Sequence, residues 1–133
     1  MAAEADVALL RLSVPYEQRG PGFEAFFHAG SLDFPADVLD HVAGVAAQVP
    51  TVVVVHLDRP AILTRIAATV PSLVVEFGAG APALLDALTG RVPPEGRLPF
   101  DLPRSMAAVE ASREDVPFDT ADPLFRFGHG LRI

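Results

Sequence analysis

The stretch TVVVVHLDRP, residues 51–60, decides how the rest of the chain is read. Four valines follow one another with no polar residue between them, and turn-forming residues flank the run: Pro50 before it, Asp58-Arg59-Pro60 after it. A half-buried strand alternates apolar with polar residues, whereas an unbroken β-branched run suits a strand covered on both faces, as in a parallel sheet. Two further segments read the same way: DVALLRL at 6–12 and SLVVEF at 72–77.

Helical patterns fill the gaps. DFPADVLDHVAGVAAQ (33–48) offers Ser31 or Asp33 as a cap and Pro35 for its first turn. It places Val38, Leu39, Val42, Val45 and Ala46 on one face. RPAILTRIAATV (59–70) opens near a proline. GAPALLDALTG (80–90) opens with Pro82 and stops at Gly90, a residue suited to a helix C-terminus. Strand alternating with helix predicts an α/β fold: a three-layer sandwich around a mostly parallel sheet, in one domain over residues 1–133. After Gly90 the pattern stops. Pro93, Pro94, Pro99 and Pro103 break the chain, leaving a Pro-rich extended C-terminal segment with one short helix expected at 105–112. Three strands make a thin sheet, since natural sheets usually hold about 4 to 6. Further strands upstream are therefore expected.

Composition excludes several functions. The chain has 133 residues, half of them hydrophobic, which is enough for a core. Its net charge is −7, and its ten basic residues are scattered arginines, so no phosphate-binding face is expected and no nucleic acid. With no cysteine there is neither disulfide nor thiolate metal site, and a cytoplasmic location is the default expectation. The start, MAAEADVALL, lacks the positive region of a signal peptide. No apolar run nears the roughly 20 residues that span a bilayer, so no membrane partner is expected. The four histidines (28, 41, 56 and 129) have no metal-ligand spacing, so no metal and no other cofactor is expected.

In an open parallel sheet, ligands bind beyond the carboxyl ends of the strands. The first such loop, residues 13–34, is long and carries Tyr16, Glu17, Arg19, Glu24, His28 and four phenylalanines. Loops of that length are usually functional. Glu17 or Glu24 could donate a proton if an apolar wall raised its pKa; the plainer reading is a solvated loop glutamate. Asp58 and Arg59 read as a structural pair or as a helix-start acid. Gly78-Ala79-Gly80 partly matches a dinucleotide fingerprint, with Asp101 as a later acid. Close helix packing explains those glycines with less, and no nucleotide is expected.

Four segments, in order, carry a resemblance: EADVALLRL (4–12), VVVVHLDRPA (52–61), ALLDALTGRVPPEGRLPFDLPRS (83–105) and PLFRFGHGL (123–131). Together they resemble the C-terminal α/β domain of family 3 glycoside hydrolases, the β-glucosidase family, lacking that domain's opening units. The resemblance implies that GRLPFDLP runs extended along the domain with its apolar residues inward. It also implies a retaining hydrolase, in which an Asp on an N-terminal (β/α)₈ barrel attacks the sugar and a Glu of this domain is the acid/base. VPYEQRG (14–20) matches the context of that Glu, which makes Glu17 the first candidate and Glu24 the second, with Tyr16 and Arg19 contacting substrate. EFGAG (76–80) departs from the family's aromatic-Pro-Gly-x-Glu-Gly-Gly and implies no catalytic residue. The nucleophile would lie on a barrel outside this sequence, so the chain alone is expected to be inactive. Its partners would be a carbohydrate and the barrel. The alternative is a non-catalytic interaction or carbohydrate-binding module, self-associating as a homodimer through an exposed sheet edge.

Overall fold

A computed structural model describes residues 4–131. Three strands, β1 (Ala8–Ser13), β2 (Thr51–His56) and β3 (Ser72–Glu76), form one sheet in the order β1-β2-β3. Both pairings are parallel, with Leu10 opposite Val53 and Val53 opposite Leu73. Helices α1 (Ala36–Ala46) and α2 (Thr64–Thr69) make the two crossovers, and α3 (Ala81–Leu88) follows β3. α4 (Met106–Ala111) is the short helix after the prolines, capped where Ala108 N donates to Ser105 Oγ at 3.2 Å.

The valine run decides the layering. Val53, Val54 and Val55 are fully buried, and their side chains alternate between the two faces of the sheet. Val53 and Val55 join Leu10, Leu12, Leu73 and Val75 under Val42 of α1 and Ile66 of α2. Val54 and Val74 face the other way, onto Leu84 and Leu88 of α3. The result is the expected three-layer α/β sandwich. One strand differs from expectation. β1 alternates half-buried with exposed residues, because α3 covers only the β2–β3 half of its face; Leu9 is 46% exposed.

α2 also starts later than its proline implies. Residues 59–63 form no helix: Ile62 N donates to Leu32 O at 2.9 Å, and Asp33 and Ile62 make a parallel bridge. Burial of Ala61, Ile62 and Leu63 pulls this segment into the core as extended chain, and helix begins at Thr64. α1 begins at Ala36 after Pro35 with no side-chain cap, and Ser31 Oγ accepts instead from Asp33 N at 3.1 Å. α3 keeps Pro82 in its first turn, and Gly90 beyond its end has φ +74°, a region that favours glycine.

The proline-broken stretch lies along the C-terminal segment. Leu98 N donates to His129 O and Leu102 N to Phe125 O, both at 2.8 Å, while Gly128 N returns to Leu98 O at 2.9 Å. Leu98 and Leu102 point into the main core, with Phe100 and Phe125 packed beside them. Asp101 is buried and accepts from Phe127 N at 2.7 Å, which tethers the tail. No helix among the described residues is long and apolar enough to cross a membrane.

Leu102 is 1% exposed and joins this strap to the core. Leu102→Ala is expected to cost about 2–5 kcal/mol of stability, against roughly 0.5 kcal/mol or less for Leu9→Ala on the uncovered face. Urea unfolding of the two variants checks this; equal losses would contradict the layering described.

Candidate functional site

The carboxyl ends of β1 and β2 deliver the long loop, residues 14–35, and the turn at 57–63 to one rim of the sheet. The sequence left the loop's internal shape open. Glu17 N donates to Ala29 O at 2.9 Å, closing the loop on itself as a local antiparallel bridge. The Glu17 side chain lies across Gly30, where φ is +83°, and an added Cβ there would overlap its carboxyl group. Glu24 sits in a 3₁₀ turn (Gly22–Phe26) and folds back in the same way over Gly20, where φ is +65°. Both candidate carboxylates are therefore parked on glycines in the left-handed region.

Tyr16, Glu17, Arg19 and Glu24 are all exposed. The apolar wall expected around the glutamates is not built by the loop's aromatic residues: Phe23, Phe26 and Phe27 are 76%, 81% and 56% exposed, and only Phe34 enters the core. Arg19 draws no ion pair among the described residues.

What organises the loop comes from the turn after β2. Asp58 Oδ2 contacts His28 Nδ1. The Arg59 guanidinium donates to three loop carbonyls, those of His28 at 2.7 Å and of Gly30 and Ser31 at 2.9 Å each. The His28 ring stacks on Tyr16, with centroids 3.9 Å apart and planes 10° from parallel. Asp58 and Arg59, read from sequence as a pair with each other or as a helix start, instead clamp the loop that precedes them. His28 was unassigned by sequence; its position in the loop that Asp58-Arg59 must face was the one available signal.

A second polar group sits on the sheet face opposite α1 and α2. Arg11, His56 and Glu76 occupy adjacent strands at their carboxyl ends. Glu76 Oε1 accepts from Arg11 Nη2 at 2.8 Å and lies 3.1 Å from His56 Nδ1. Glu76 Oε2 accepts from the amides of Gly78 and Ala79 at 2.6 and 2.7 Å. Burial pushes the Glu76 pKa up, but the bonds from Arg11, Ala79, Gly78 and His56 outweigh it and hold the group at about 2, down from 4.5. The amides of the Gly78-Ala79 turn are thus already occupied by the chain's own carboxylate. That is the physical reason the partial dinucleotide match at these glycines does not make a phosphate site.

A cavity of about 250 Å³ follows the outer edge of β3, lined mainly by apolar residues including Leu73, Val75, Leu84, Leu98 and Leu131, and no residue of the 14–35 loop reaches it. A shallower depression of about 350 Å³ lies between Arg11, Ser13, Tyr16, Phe34 and Pro35, beside the loop. Among the described residues no group of three His, Asp or Glu side chains is placed to hold a metal.

Fold and rim define the class: an open parallel-sheet α/β domain whose long polar loop follows its first strand. Comparison with known proteins makes the assignment particular. The glycosyl hydrolase family 3 C-terminal domain model matches residues 1–133, and the chain belongs to that family. It is 51% identical over 128 residues to beta-glucosidase C of Emericella nidulans, covering 96% of this chain and 21% of that protein. It is 45% identical over 134 residues to a periplasmic beta-glucosidase/beta-xylosidase of Dickeya chrysanthemi, covering 96% of this chain and 20% of that one. A crystal structure of beta-glucosidase from Listeria innocua in complex with isofagomine shares the fold, with TM-score 0.71 and 20% identity over 95% of this chain and 20% of that one. The chain spans about a fifth of the length of these curated relatives.

Because the folded-state pKa of Glu76 lies below its unfolded value, the stability it contributes is present above the unfolded value and is lost as pH falls from about 4.5 toward 2. The loss is on the order of 3 kcal/mol. Glu76→Gln is expected to remove most of it at neutral pH and to flatten acid unfolding over that window; an unchanged acid profile by circular dichroism would contradict the role.

Proposed function

We propose that this domain supplies the acid/base loop of a retaining β-glucosidase-like hydrolase, facing a sugar bound by a (β/α)₈ barrel that carries the nucleophilic Asp. The carrying observation is the loop of residues 14–35. It holds two exposed carboxylates, Glu17 and Glu24, beside three phenylalanines left largely uncovered, and Asp58 and Arg59 fix it from behind. A preorganised polar loop with an apolar skirt suits a surface that closes on another domain and on substrate. The family membership and the β-glucosidase relatives support the same reaction class.

In that reaction the glycosidic oxygen takes a proton as the barrel carboxylate attacks the anomeric carbon, and the deprotonated group then activates water. Glu17 is the first candidate for that role and Glu24 the second, with Tyr16 and Arg19 beside the sugar. One carboxylate of the two leaves no covalent route, so the chain alone is expected to be inactive. The open edges of β1 and β3 favour one second reading, an interaction module that pairs with its own copy.

Mixing the chain with a barrel-bearing polypeptide and an aryl β-glucoside tests the first reading. Hydrolysis with retained configuration is expected only from the mixture, falling about 10²–10⁴-fold in Glu17→Gln if Glu17 is the acid/base. A complex that forms without turnover would sink the proposal. Sedimentation of the chain alone tests the second reading, and a monomer at high concentration would sink it.

A further inference from the structure

His28 is held by three neighbours, two at its ring and one at its backbone. Asp58 takes its Nδ1, which leaves Nε2 as the ring nitrogen outside that contact. Tyr16 covers one ring face in a near-parallel stack. Arg59 grips the His28 carbonyl together with those of Gly30 and Ser31, so the backbone beneath the ring is held as well. The side chain nevertheless stays 33% exposed, enough for contact from outside. The charged and titratable groups around it are Asp58, Arg59, Tyr16 and, through the Glu17–Ala29 bridge, Glu17.

A neutral histidine whose Nδ1–H donates to a carboxylate presents Nε2 as a hydrogen-bond acceptor, the tautomer being set by the bond that the other nitrogen makes. Stacking and backbone clamping remove the rotamer entropy that a surface side chain would otherwise lose on binding. An exposed, immobile acceptor next to an aromatic ring matches a sugar hydroxyl: the ring plane gives it an apolar wall, and the hydroxyl donates its O–H to Nε2. Resting on the reading that this loop faces the substrate, we infer that His28, oriented by Asp58 and stacked on Tyr16, is a hydroxyl-binding residue of the sugar site. Its role is distinct from the proton transfer assigned to the loop carboxylates. The same Asp58 then acts as a positioning residue, through His28.

Kinetics of the enzyme assembled from this chain and its barrel polypeptide test this. His28→Ala is expected to lower kcat/KM for aryl β-glucosides about 10- to 100-fold, chiefly through KM, by the same factor for good and poor leaving groups. Asp58→Asn, which keeps the side chain's shape, is expected to give a smaller loss of the same kind. Against a series of monodeoxyglucosides, one position is expected to bring wild type and His28→Ala to equal kcat/KM, because the hydroxyl that His28 binds is then absent. Circular dichroism separates these effects from misfolding, and Asp58→Asn carries the test if His28→Ala does not fold. A loss that falls on kcat and grows with leaving-group basicity would make His28 a proton donor and overturn the inference. An equal deficit against every deoxy sugar would overturn it too. Absence of turnover by the unmutated assembly would instead remove the reading on which it rests.

Discussion

The structure depends on covering both faces of one strand. β2 is the middle strand of a three-stranded sheet, and Val53, Val54 and Val55 at its centre are fully buried. Each buried valine is worth roughly 1.5–3 kcal/mol against exposure, and side chains on opposite faces must be covered by separate layers. α1 and α2 cover one face, α3 the other, and the extended strap and tail close the main core through Leu98, Leu102 and Phe125. The carboxyl ends of the parallel strands are carried to a common rim as a consequence of that layering.

Buried charge is confined to places where the backbone and a counter-charge meet it. Glu76 is 6% exposed, yet it accepts from Arg11, from two amides and lies beside His56, so desolvation is outweighed. It ties β1, β2, β3 and the turn into α3 at one point. The carboxylate at the other end of the rim, Asp58, does its ordering by holding His28, while Arg59 holds carbonyls. A residue pair that follows the central strand thus shapes the loop that follows the edge strand. Structural stability and the form of the candidate site come from the same two turns.

The chain is a family 3 glycosyl hydrolase C-terminal domain that spans about a fifth of its curated relatives. Its apolar surface is uncovered in three places: β1 has one bare face, the outer edge of β3 borders a cavity, and three phenylalanines of the 14–35 loop stand in solvent. The loop's carboxylates are, by contrast, individually accommodated on glycines, in a conformation that only glycine adopts without strain.

The sequence by itself determined the three strands, the approximate helices, the helix stop at Gly90, the short helix after the prolines, the α/β class and the family words. Each is written in residues close together, as an unbroken valine run, a 3.6-residue periodicity, a proline in a first turn or a glycine past a helix end. It also offered the long loop at 13–34 as a candidate site, with Tyr16, Glu17, Arg19 and Glu24 within it. Tertiary structure alone decided what those residues meet. The late start of α2 follows from burying Ala61 to Leu63; the strap's partner is a tail some thirty residues on; Arg11 reaches Glu76 across a separation of 65 residues, and Arg59 reaches back 31 to His28. Local periodicity carries no information about such contacts, because they form only once parallel pairing has brought the strand ends side by side.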